Sequence, residues 1–205
     1  MLTTQKTLTF TGWIAIVLFA LIGVMASIAQ IPPGGDSYND GFAENPVTTL
    51  LHVIPGIVFM VLGPVQFSKK IRGTYPVYHR WAGRLFVTAC VIIGFSGLTM
   101  VIVFPFAGLN EQLSIFTFAA LFLYSLYRAF GHIRRREIAA HREWMIRVFA
   151  IGLGISLVRI FILLLLITTT IQQIDFFAWT FWAGFSMTWL TGEFWIRYTR
   201  ISRVA

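Results

Sequence analysis

Six apolar runs, each about as long as a bilayer is thick, alternate with short polar segments along this chain. The runs are Phe10–Ile31, Val47–Phe67, Leu85–Phe106, Leu113–Phe130, Met145–Thr170 and Phe176–Ile196. A helix needs about 20 apolar residues to cross the hydrocarbon core, so each run predicts one transmembrane helix. None shows the alternating ten-residue segments of a transmembrane β-barrel. The expected fold is an all-α, polytopic membrane protein, a six-helix bundle forming a single domain over residues 1–205. Pro55-Gly56 and Gly63-Pro64 make the second helix a candidate for a kink. Gly94-Phe95-Ser96-Gly97 and Gly152-Leu153-Gly154 offer small surfaces for close helix approach.

Charge sharpens this picture. Only 12% of the chain is charged and 57% is hydrophobic. All but one of the 16 Lys and Arg residues fall in four segments: Lys6, then Lys69 to Arg84, Arg128 to Arg147, and Arg197 to Arg203. The alternate connections hold only Asp36, Asp40, Glu44, Glu111 and Asp175. Positive charge gathers on the cytoplasmic side of membrane helices. Both termini are therefore expected in the cytoplasm and the protein in the inner (plasma) membrane. The net charge of +8 reports topology and implies no nucleic-acid partner. Ser27-Ile28-Ala29 has the spacing of a cleavage site, but the first run is longer than a signal core, so helix 1 is expected to be retained. The proline- and glycine-rich segment from Pro32 to Pro46 is the longest connection on the acidic side and is read as a solvated turn or a lid. Cys90 is the lone cysteine and is expected to be a small packing residue.

Two segments on the basic side resemble each other. His79-Arg80-Trp81-Ala82-Gly83-Arg84 opens the third span, and His141-Arg142-Glu143-Trp144-Met145-Ile146-Arg147 opens the fifth. The recurrence suggests a pseudo-repeat of helices 2–3 and 4–5. In each copy Trp and its Arg are three residues apart and share a helix face. Interfacial anchoring explains Trp and Arg but gives His little to do. Two His at one depth on facing helices can ligate a haem iron. The candidate cofactor residues are thus His79 and His141 as ligands, with His132 as a substitute. Arg84 and Arg147, or Arg128, would face the propionates. Closely spaced Cys and acidic partners for zinc are missing, and so is a nucleophile beside a base.

Arg159 is the exception among the cations, near the middle of the fifth run. A charge there costs about 2.5–3.5 kcal/mol on insertion scales, so it must face the bundle interior. It stands about 22 Å above Trp144 at 1.5 Å per residue, towards the level expected for His52. No acidic residue falls within a span at that depth. His52 and Arg159, with Gln66 deeper, are the candidate lining of a polar cavity for a small molecule, an anion or a quinone. Glu193 and Arg197, four apart, are expected to pair along the last helix.

From His52 through Phe59-Met60-Val61-Leu62-Gly63-Pro64-Val65-Gln66-Phe67, then His79 to Arg84, Ala140 to Arg147 and Arg159, the chain resembles a bacterial family of predicted membrane proteins known only as a domain of unknown function. The resemblance covers helices 2 to 5, leaves out His132 and implies no activity. A looser likeness links the chain to six-helix transmembrane b-type cytochromes. That pattern needs two His pairs at two depths, whereas His52 has no His partner at its own level and only Met100 nearby. Three classes of function remain open. They are a haem- or quinone-linked redox protein, a small-molecule or anion transporter or sensor, and a structural or assembly protein without catalysis.

Overall fold

The structure, a computed structural model, describes residues 2–28 and 41–204. Regular structure in these residues is helical: α1 (Leu2–Ile28), α2 (Gly41–Glu44), α3 (Pro46–Phe67), α4 (Lys69–Thr74), α5 (Pro76–Val103), α6 (Gly108–Arg134), α7 (Ile138–Thr168) and α8 (Gln173–Val204). Five of them, α1, α3, α5, α6 and α7, are long and apolar enough to cross a membrane. α8 is as long, but Asp175, Glu193 and a run of Trp and Thr dilute its apolar character. The segment proposed as a lid falls largely on residues 29–40, outside the described residues, as does Ala29.

The helices overrun the apolar stretches that announce them. α5 begins at Pro76 rather than Leu85, and α7 at Ile138 rather than Met145. The repeated motif therefore lies inside helices, with each His in a first turn. Proline explains one start: Pro76 sits where a helix has no use for the N–H that proline lacks. α3 likewise opens on Pro46 and continues through Pro55 and Pro64. Arg136 turns the chain between α6 and α7 with a left-handed φ of 60°, its N–H bonded to the Ile133 carbonyl at 3.0 Å.

Within the bundle α3 packs on α5, α5 on α6 and α6 on α7, while α1 lies against α3 and α7 and α8 against α6 and α7. The centre is aromatic. Phe59 of α3, Phe86 of α5, Phe122 of α6 and Phe149 of α7 are all buried, with Phe59 stacked on Phe86 at 5.0 Å and tilted against Phe149 at 5.4 Å. Glycine makes room for them. A Cβ on Gly63 would lie 2.6 Å from Cζ of Phe149, and one on Gly152 would lie 2.5 Å from Cε1 of Phe59. Each of α3 and α7 thus sets a phenylalanine onto the other's glycine. Gly152 thus accepts a side chain, whereas Gly154 brings α7 close to the backbone of α8, a Cβ there lying 3.0 Å from Cα of Phe185.

Polar bonds tie the helices at fixed levels. Ser156 of α7 donates to the Phe19 carbonyl of α1 at 2.7 Å, and Trp182 of α8 to Asn110 of α6 at 3.0 Å. Arg147 of α7 makes a two-pronged pair with Glu193 of α8, at 2.5 and 3.0 Å. This corrects the expected pairing of Glu193 with Arg197. A carboxylate and guanidinium meeting in two parallel bonds between helices gain more than a flexible pair along one helix. The perimeter is apolar, with Phe10, Leu18, Leu21, Val61, Phe95, Leu163, Ile167 and Phe194 all more than half exposed. Such a surface belongs against lipid tails.

Candidate functional site

At the acidic end of the bundle lies a cavity of about 210 Å³. It is lined mainly by aromatic and aliphatic side chains, and three ionisable ones enter it from three helices: His52 of α3, Glu111 of α6 and Arg159 of α7. The structure therefore brings together His52 and Arg159, which the sequence set at one level. Gln66 does not join them, because it sits fourteen residues further along α3, about 21 Å away.

His52 lies in the second turn of α3, where its ring reaches across to α5. Its Nδ1 is 3.0 Å from Ser96 Oγ. The Ser96 hydroxyl proton is directed at the Ile92 carbonyl, 2.6 Å away. A hydroxyl oxygen whose proton is used can still accept, so Nδ1–H donates to Ser96. The lone pair of the neutral ring is then at Nε2. Gly97 makes the fit possible, since a Cβ there would stand 3.3 Å from the ring's Cε1.

Glu111 is the residue the sequence reading missed. The apolar run begins at Leu113, which left Glu111 in a connection, whereas α6 starts at Gly108 and draws it into the cavity wall. Its Oε2 accepts the backbone N–H groups of Phe106 and Ala107, at 2.8 and 2.6 Å. These are donors that a helix start leaves unmet. The available signal was an acidic residue early in a helix that opens on glycine. Arg159 thus shares its cavity with a carboxyl group that enters from the first turns of α6. Met100, the weak partner proposed for an outer haem, also lines this cavity.

At the basic end, about 27 Å away along α7, the paired motifs occupy matching positions. His79 and His141 are each the fourth residue of their helix, and the two rings are near enough for their charges to interact. His141 Nδ1 is 2.9 Å from the Ala129 carbonyl. A carbonyl only accepts, so this nitrogen carries the proton and Nε2 the lone pair. His79 Nδ1 is buried and finds no hydrogen-bond partner among the described residues, and neither does Nε2 of Gln66. The Trp–Arg pairs recur too: Arg84 lies over Trp81 at 4.6 Å and Arg147 over Trp144 at 4.4 Å. Arg84 is exposed. Arg147 is already held by Glu193, and Arg128 caps the other ring contacts of Trp144 at 4.8 Å while bonding Tyr124. His132 is engaged with Glu137 through Nδ1. Among the described residues no three His, Cys, Asp or Glu side chains group as metal ligands would.

A family model described as predicted membrane protein, DUF2306, matches residues 49–196. The chain belongs to this family. It is an integral membrane protein, and the matched segment takes in His52, Glu111 and Arg159 as well as both His-Arg motifs. α1, whose Gly23, Ala26 and Ser27 complete one side of the cavity, precedes it. No curated protein and no solved structure matches the chain.

Proposed function

We propose that this protein binds a small, largely apolar molecule within the membrane, in the cavity where His52, Glu111 and Arg159 converge. In this reading α1, α3, α5, α6, α7 and α8 all span the bilayer. The basic end and both termini then face the cytoplasm, as the positive-inside bias favours, and the cavity lies in the outer half. The observation that carries the proposal is the convergence itself. Three ionisable side chains on three helices enter one apolar cavity, and charged residues at such depth face interiors that function uses. Ligand sites are commonly apolar clefts with a few converging polar groups. The Phe59, Phe86 and Phe149 cluster fills the bundle between this cavity and the basic end, which favours holding or sensing a molecule over an open path through the protein.

The test is chemical. Small molecules extracted from purified wild-type protein are compared by mass spectrometry with those from Arg159→Leu and His52→Ala proteins. A compound carried by the wild type and absent from both variants supports the proposal, and identical extracts reject it.

A second reading rests on a different observation. The bond from His141 to the Ala129 carbonyl is the outer partner that iron-ligating imidazoles typically have, and it leaves Nε2 available. His79 is the fourth residue of its helix, as His141 is of α7, and lies within reach of the charge of His141. These residues fit a haem held by both imidazoles at the basic end, with the exposed Arg84 to meet a propionate. The matching positions of His79 and His141 also support the pseudo-repeat of the hairpins α3–α5 and α6–α7. A reduced-minus-oxidised optical spectrum tests this reading. Sharp α and β bands lost in His79→Ala or His141→Ala support it, and a colourless protein from haem-replete cells rejects it.

A further inference from the structure

We infer that the molecule held in the cavity carries a single aromatic ring with a phenolic hydroxyl, as a quinol or alkylphenol does; this deepens the binding proposal and rests on it. Volume sets the first limit. A dry apolar cavity of about 150 Å³ accommodates benzene, so one of about 210 Å³ takes a single substituted ring. The walls set the second. Phe59, Phe118 and Phe177 offer ring faces and edges, and Met100 a sulfur, the partners that aromatic rings prefer.

Hydrogen-bond direction decides the head group. With the ring proton of His52 engaged on α5, where Ser96 and the Ile93 carbonyl meet the ring, the other ring nitrogen is an acceptor, and a ligand satisfying it must donate. A carboxylate, a ketone or a quinone carbonyl cannot. Arg159 can only donate. A hydroxyl is the smallest group that meets both, its proton to the imidazole and its oxygen lone pairs to the guanidinium. Glu111, the other ionisable group of the wall, already has Oε2 bonded to the backbone N–H groups of Phe106 and Ala107. Gly23 and Ala26 of α1 and Gly56 of α3 make one side of the cavity from small residues.

The experiment is a calorimetric titration of the full chain in lipid nanodiscs with three probes: 4-decylphenol, its methyl ether, and decanoate. The phenol is expected to bind about tenfold more tightly than the ether, the worth of one buried hydrogen bond. His52→Phe is expected to abolish that preference while still binding the ether. His52→Gln, which can accept through its amide oxygen, is expected to restore part of it. Ser96→Ala is a second route, since it frees the ring proton from its fixed nitrogen and so reduces the preference without touching a lining charge. Each variant is used only if it unfolds at the wild-type temperature. Equal binding of phenol and ether by the wild type overturns the inference. So does tight binding of decanoate alone, although loss of that binding in Arg159→Leu would leave the cavity proposal standing. Failure of all three probes, together with identical extracts from wild type and variants, overturns both.

Discussion

Replacing Gly63 with alanine adds one methyl group at the centre of the bundle. The new Cβ would lie 2.6 and 2.7 Å from Cζ and Cδ2 of Phe149 and closer still to Cε2. Ordinary contact needs 3.4–4 Å, so the ring must retreat by about an ångström. It has nowhere to go, being buried with Phe59 at 5.4 Å, Phe67 at 5.2 Å and Phe86 at 6.5 Å around it. Overpacking of this kind costs about 1–3 kcal/mol. Alanine's better helix propensity returns about 0.5–1 kcal/mol, for a net loss of up to about 2.5 kcal/mol. Gly131→Ala is the matched control, because nothing lies within 4 Å of its would-be Cβ and only the propensity gain remains. Both are measured by SDS-induced unfolding in mixed micelles. The expected order is Gly131→Ala above wild type and Gly63→Ala below it. Adding Phe149→Leu to Gly63→Ala should cost less than Phe149→Leu alone, since the methyl then fills vacated space. Gly63→Ala as stable as Gly131→Ala would refute the interlocked packing of α3 and α7.

Four further outcomes are expected. Glu193→Gln breaks the pair with Arg147, whose side chains are only 17% and 23% exposed, and should destabilise by about 2–3 kcal/mol in the same unfolding assay; an effect no larger than that of Arg197→Gln would refute the interhelical pairing. Arg159→Leu should lose the bound compound in the extraction assay, while Arg159→Lys, which keeps the charge but not the planar fork, should retain part of it; equal retention by wild type and Arg159→Leu would contradict the role given to Arg159. Arg136→Gly relieves a left-handed residue and should raise stability by about 0.5–1 kcal/mol in the same unfolding assay; a loss of stability would contradict this. The Glu137 carboxyl, outside the membrane helices, is held below its ordinary value by its bond with His132 and then by Arg135. Its stabilisation is present at neutral pH and lost as pH falls through that lowered value. Wild type and Glu137→Gln should therefore converge in stability on acidification, and a gap that persists in acid would contradict this.

Much of the site was legible in one dimension because membranes penalise charge so heavily. Arg159 stood out as the one cation far from either end of an apolar run, and counting 1.5 Å per residue from Trp144 brought it towards the level of His52. Glu111 was not legible, because the polar stretch Asn110-Glu111-Gln112 separates Leu109 from the apolar run at Leu113, and capping bonds to Phe106 and Ala107 exist only once the turn has formed. The partner of Glu193 was misjudged for a related reason. Sequence spacing sees Arg197 one turn away but cannot see α7 alongside.

By itself the sequence determined the helical class, the long spans, the asymmetry of charge between the two ends and the membrane as solvent. These follow from hydrophobicity and charge summed along the chain, and lipid enforces them locally, helix by helix. Only the tertiary structure decided which glycines face which phenylalanines, that Ser96 orients the ring of His52, and that three helices deliver His52, Glu111 and Arg159 to one cavity. Those depend on the rotation and depth of each helix against its neighbours, set by close packing of the whole bundle and by no run of residues alone.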